Sequence, residues 1–225
     1  GDDDDSTAGD DDDSAAGDDD DSTAGDDDDS AAGDDDDSAA GDDDDSAAGD
    51  DDDSAPSAGD VLFITEIAEP QSPTPGNAKF VELYNGGSAS IDLSGYSINV
   101  YANGASSANS SIPLSGMLAA GAAYVIANNA TDMMNEYNYT ADLISGSITG
   151  NGDDVYELAD ANGTVDIYGE IGVDGTGQPW EYTNSLTYRL PGGTPSVTHD
   201  LGQWASVSWG DALSTSAFTP GVYVN

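Results

Sequence analysis

Apolar residues gather after Asp60 into short runs at 61–67, 79–84, 96–101, 123–127, 155–159, 165–171 and 186–190. Each run is β-branched or aromatic and is bounded by Gly, Asn, Asp, Ser or Pro, the pattern of strands separated by turns. No window carries a convincing 3.6-residue apolar period; 130–137 alone reads as one or two helical turns. Beyond Pro191 the runs weaken, and edge strands are expected around Trp204–Trp209 and Val222–Val224. The spacing predicts an all-β sandwich. The 61–225 stretch is long enough to bury a sizeable core.

Before that boundary the pattern is absent. Residues 1–56 are seven copies of an octad: Gly, four Asp, Ser, Ala or Thr, then Ala. The copies start at Gly1, Gly9, Gly17, Gly25, Gly33, Gly41 and Gly49, and the last ends on Pro56. Residues 57–60 read as a linker. The octads hold 28 of the 46 acids, and the formal net charge is −44. Lys79 and Arg189 are the only cations. Such a charge excludes ordinary electrostatic binding to nucleic acid or anionic lipid. Cysteine is absent, which fits an oxidising exterior. No run of 18 apolar residues exists to span a membrane. The chain begins at Gly1, in phase with the repeat, without Met or a signal segment; it reads as a processed product or a piece of a longer chain.

The octads change the picture most. They offer almost no apolar surface against the entropy of ordering, and their neighbouring carboxylates repel. A hard cation with a taste for oxygen relieves that repulsion. Ca²⁺ takes six to eight oxygen ligands in flexible geometry, whereas Mg²⁺ demands a stricter octahedron and transition metals prefer His or Cys. The expected calcium ligands are Asp2, Asp3, Asp4 and Asp5; Asp10, Asp11, Asp12 and Asp13; Asp18, Asp19, Asp20 and Asp21; Asp26, Asp27, Asp28 and Asp29; Asp34, Asp35, Asp36 and Asp37; Asp42, Asp43, Asp44 and Asp45; and Asp50, Asp51, Asp52 and Asp53. In an extended chain successive Asp side chains alternate faces, with a repeat of roughly 26 Å, so metal rows on each face would link chains like rungs. A calcium-bound β-roll is the coiled alternative, but only Ala is present to fill its core. The plain alternative is a solvated acidic linker.

Several motifs follow one another in the second region: Leu62-Phe63-Ile64-Thr65-Glu66-Ile67, Lys79-Phe80-Val81-Glu82-Leu83-Tyr84-Asn85, Ile91-Asp92-Leu93-Ser94-Gly95-Tyr96, Tyr124-Val125-Ile126-Ala127-Asn128, Asn151-Gly152-Asp153-Asp154-Val155-Tyr156-Glu157-Leu158 and Val165-Asp166-Ile167-Tyr168. In this order they resemble the lamin-tail domain of bacterial secreted proteins, over about Val61 to Leu190. The resemblance implies an immunoglobulin-like β-sandwich that acts as a binding or structural module. The octads resemble the acidic repeats of calcium-ladder extracellular filaments, whose chains are bridged by rows of Ca²⁺.

Candidate chemistry in the sandwich is sparse. His199 is the single histidine, and a nucleophilic triad would need it beside Asp200 or Asp211 and a serine; no Gly-x-Ser-x-Gly elbow is present. Glu66 and Glu69 flank the end of the first strand as a conceivable acid–base pair, and Glu66 and Glu82 match acidic positions of the family pattern, where a structural or metal-contacting role is implied. Asn151-Gly152-Asp153-Asp154 reads as a turn first and a calcium loop second. Asp92 reads as a turn residue. Trp180, Trp204 and Trp209 serve either as core or as a stacking face for sugar. Sequons at Asn109, Asn129, Asn138 and Asn162 permit glycosylation.

These features predict a non-enzymatic structural subunit of an extracellular or cell-surface filament of prokaryotic type. Its partners would be copies of itself and calcium ions, with no nucleic acid and no membrane span. The alternative is an adhesion or carbohydrate-binding module, with glycans as partners, on an acidic stalk.

Overall fold

The computed structural model describes residues 61–70, 78–209 and 220–223, all within one compact unit. The octads, with their 28 expected calcium ligands, and Asp211 lie outside the described residues. The described chain forms β1 (Leu62–Ala68), β2 (Phe80–Asn85), β3 (Ile91–Asp92), β4 (Ser97–Tyr101), β5 (Ser110–Pro113), β6 (Met117–Leu118), β7 (Ala123–Ala127), helix α1 (Ala130–Tyr137), β8 (Leu143–Ile144), β9 (Val155–Asp160), β10 (Gly163–Tyr168), β11 (Ser185–Arg189) and β12 (Trp204–Ser208). One sheet runs β12-β11-β1-β2-β7-β8, a second β10-β9-β4-β5, and β3 pairs with β6. All pairs are antiparallel except β7–β8.

The all-β sandwich expected from the sequence is therefore present. The predicted runs land on β1, β2, β4, β7, β9, β10 and β11 within a few residues, and 130–137 is α1. The run 165–171 stops early, at Tyr168, because the chain turns there and Val173 N–H bonds back to the Glu170 carbonyl at 3.1 Å. The strand expected around Trp204–Trp209 is β12, on the edge of the larger sheet. The one expected at Val222–Val224 is not formed over the described residues Val222 and Tyr223. Gly221 sits at φ +94°, and its N–H goes to the Glu82 carboxylate at 2.6 Å rather than to a ladder.

The main core lies between the two sheets. Leu62, Ile64 and Ile67 from β1 meet Val81 and Leu83 from β2, Ile98 and Val100 from β4, and Leu158 from β9. Each such side chain contributes about 1.5–3 kcal/mol of burial. The other face of the large sheet is covered as well, which is why every residue of β1 and β2 is buried. Helix α1 lays Met133 and Tyr137 against Phe80, Val125 and Leu186. At the other end Tyr223, from the terminal segment 220–223, packs on Phe63 and Tyr84 with ring centroids 5.7 and 4.9 Å apart.

Candidate functional site

A bulge in β1 builds the site. The β1–β2 register shifts between Ile64 and Glu66. In an unbroken strand Glu66 would follow Leu62 and Ile64 into the core, since side chains alternate. The extra residue, Thr65, re-aims Glu66 to the outer face and restores Ile67 to the core. Glu66 then stands directly opposite Glu82 on β2, and opposite Tyr188 on β11. Both glutamates are buried; Gly221 reaches Glu82, and the Glu66 charge acts on Tyr137 of α1.

Like charges directly opposite each other destabilise a ladder, and burial compounds the cost. Thr65 Oγ1 donates to Glu82 Oε1 at 2.8 Å, and Gly221 N–H to Glu82 Oε2. Burial raises the Glu82 pKa and these donors pull it back, while Asp142 raises it further. Glu66 is held well above the usual carboxylate range, first by burial and then by Glu82. Its Oε1 is enclosed without a hydrogen-bond partner among the described residues. The pair opens on a cavity of about 190 Å³, lined also by Thr65, Tyr188, Arg189, Pro191, Val222 and Tyr223.

Arg189 reaches this cavity but is engaged elsewhere. It is fully buried and pairs with buried Asp166 at 2.6 Å. Its Nε donates to the Ile64 carbonyl at 2.8 Å, and its Nη1 to the Thr194 carbonyl and to Gln203 Oε1. Asp166 also accepts from the N–H groups of Ile64 and Ser196. Burial pushes the Asp166 carboxyl up, and Arg189 with those two donors pulls it down. The guanidinium lies 4.5 Å from the Trp204 ring centroid and 5.4 Å from that of Phe63. This cluster ties β1, β10 and β11 together where the β1–β11 ladder ends.

The other candidates fall into structural roles. Glu69 pairs with Lys79 at 3.5 Å and accepts from Asn184 N–H, so it does not stand with Glu66 as an acid–base pair. Lys79 also donates to the Gly150 carbonyl at 2.6 Å. His199 does not form a triad with Asp200, whose carboxylate caps a 3₁₀ turn at Gly202. The His199 ring is enclosed, and burial, then the Arg189 charge, lowers its pKa while the Ile167 backbone pulls it back. The ring lies edge-on to Tyr168 and lines a second cavity of about 350 Å³ with Trp180, Ile171 and Val197. In the 151–154 turn Asp154 accepts from Asn103 and Asn151 N–H groups, and Asp153 from Thr176. Among the described residues no group of three or more His, Cys, Asp or Glu is placed to hold a metal ion. Asp92 caps the 3₁₀ turn Leu93–Gly95. Trp180, Trp204 and Trp209 are only 6%, 7% and 5% exposed, so they serve as core rather than as an open stacking face.

The sequence named Glu66 and Glu82 but did not show that they share a cavity. That placement depends on the Thr65 bulge and on a cover from 220–223, more than 130 residues away. No helix among the described residues is long and apolar enough to cross a membrane. No curated protein matches the chain. The family model of the lamin tail domain matches residues 55–172, over half the chain and including β1 to β10. The chain belongs to the lamin tail domain family, with an immunoglobulin-like β-sandwich.

Proposed function

We propose that the protein is a non-catalytic structural subunit of an extracellular, calcium-stabilised filament or matrix. The acidic octads bind rows of Ca²⁺ shared between chains, and the lamin tail domain caps, joins or decorates the polymer. The observation that carries this reading is the octad itself: 28 carboxylates in near-perfect period, with no cation among residues 1–56. Metal binding removes their mutual repulsion and supplies crosslinks in one step. A ligand set that repeats without closing favours open, fibrous assembly over a discrete oligomer. The domain that follows in the sequence has a self-contained core. The adhesion alternative draws no support from the tryptophans, since all three are buried.

The test is calcium titration of the full chain, followed by negative-stain imaging and sedimentation. Filaments are expected to form with Ca²⁺, to dissolve in chelator and to fail after removal of residues 1–56. Filaments indifferent to chelation, or built by the sandwich alone, overturn the proposal.

A further inference from the structure

We propose that the cavity between β1, β2 and the segment 220–223 is a binding site for an aliphatic primary ammonium group, received by Glu66 and Glu82. Glu66 is 4% exposed, lines the cavity, and leaves Oε1 without a partner among the described residues. A buried polar atom left unsatisfied costs about 1–3 kcal/mol, more when charged. The Thr65 bulge sets this side chain directly opposite a second carboxylate, where two acids face one opening. A cation placed there meets both.

Neither of the two cationic side chains, Lys79 and Arg189, is free to occupy the cavity. Lys79 is engaged by Glu69 and by the carbonyls of Thr149 and Gly150. Arg189 borders the cavity, yet its bonds run to Asp166, Ile64, Thr194 and Gln203. Neither cationic side chain of the sequence therefore fills the cavity.

The donor set decides what kind of cation fits. Calcium needs six to eight oxygens, and among the described residues no group of three or more His, Cys, Asp or Glu is placed to hold a metal ion here. Glu82 already accepts from Thr65 and Gly221. An ammonium has three donors and no acceptor, so the free Oε1 of Glu66 and the remaining lone pairs of Glu82 suit it. Tyr188, Pro191, Val222 and Tyr223 supply walls for a methylene stem. A lysine side chain of a second protein and a free alkylamine present this same chemistry.

The experiment follows the Tyr188 and Tyr223 ring signals by NMR on the full chain, in about 0.3 M NaCl to screen the octads. The probes are n-butylammonium, 1-butanol, tetramethylammonium and a capped peptide with one central lysine. Saturable shifts are expected with n-butylammonium and not with 1-butanol, which lacks charge, or tetramethylammonium, which lacks N–H donors. Glu66→Gln should weaken binding about tenfold or more, the scale of a lost charge-assisted hydrogen bond. Binding by the unaltered chain should also weaken on acidification, as the carboxylates take up protons. The groups facing the pair are Tyr188 and Arg189 from β11, Tyr137 from α1, Tyr139, Asp142 and Tyr223. None of these gains an affinity for cations on acidification. Shifts with the peptide as well as the small amine assign the site to a protein lysine, and shifts with the small amine alone assign it to a free amine. No saturable shift with either, equal binding of tetramethylammonium, or binding unchanged by Glu66→Gln and by pH would overturn the proposal.

Discussion

Asp166 and Glu66 are both buried carboxyls, yet their surroundings set opposite expectations. Asp166 accepts from Arg189, Ile64 and Ser196. Removing it strands a buried guanidinium, so Asp166→Ala should destabilise by about 3–5 kcal/mol in urea titration followed by tryptophan fluorescence. Adding Arg189→Met should not restore stability, because Ile64 would then lose partners for both its N–H and its carbonyl. Full recovery in the double variant would show that the pair is dispensable. Glu66 leaves Oε1 without such a partner among the described residues. Its folded pKa is raised, so the native state binds more protons than the unfolded chain, and stability falls as pH rises from about 4.3 through the folded value. Glu66→Gln removes that loss and should be more stable than the parent at about pH 8, by about 1–3 kcal/mol, with little difference near pH 4. A parent as stable as the variant across the range would mean that its setting does not raise the Glu66 pKa.

At the scale of elements, the turn that launches β9 is the strictest. Gly152 sits at φ +107°, and a Cβ there would lie 2.3 Å from the Thr183 Cα. Its carbonyl accepts from Tyr182 N–H at 2.7 Å, joining the turn to the approach to β11. Gly152→Ala should cost roughly 2–4 kcal/mol, read as a lowered denaturant midpoint with an unchanged slope. The same Asn151-Gly152 pair was legible in the sequence because Asn-Gly favours left-handed backbone. So were the long buried strands, whose β-branched cores contrast with polar turns. Two-residue β3, β6 and β8 were not legible, since pairs such as Ile91–Asp92 carry no alternation to detect. Nor was β5, whose Ser110–Pro113 reads as loop. The bulge at Thr65 escaped for a different reason. The run from Leu62 to Ile67 is apolar enough to pass as one regular strand, and only its pairing with β2 reveals the extra residue. For the tryptophans the sequence left core and sugar face open, and it is the tertiary packing around Trp180 and Trp204 that decides for core.

Over the whole molecule, charge and aromaticity are segregated. Residues 1–56 hold 28 acids and no aromatic side chain, whereas all three Trp and all eleven Tyr follow residue 60. Near-ultraviolet circular dichroism therefore reports on the sandwich alone, and sedimentation reports on assembly. If the octads are the calcium sites, chelator should disperse the polymer while the aromatic signal stays unchanged, because the sandwich core is built from apolar contacts that need no metal. Replacing the 28 aspartates by asparagine keeps an oxygen at each position but removes the charge, and should abolish calcium uptake in calorimetry with the aromatic signal again intact. Acidification below about pH 4 should mimic the chelator, since protonated Asp loses its charge as a ligand. A fall in the aromatic signal that tracks chelation would instead place the critical ion inside the sandwich, and assembly that survives in the asparagine variant would take the octads out of the polymer.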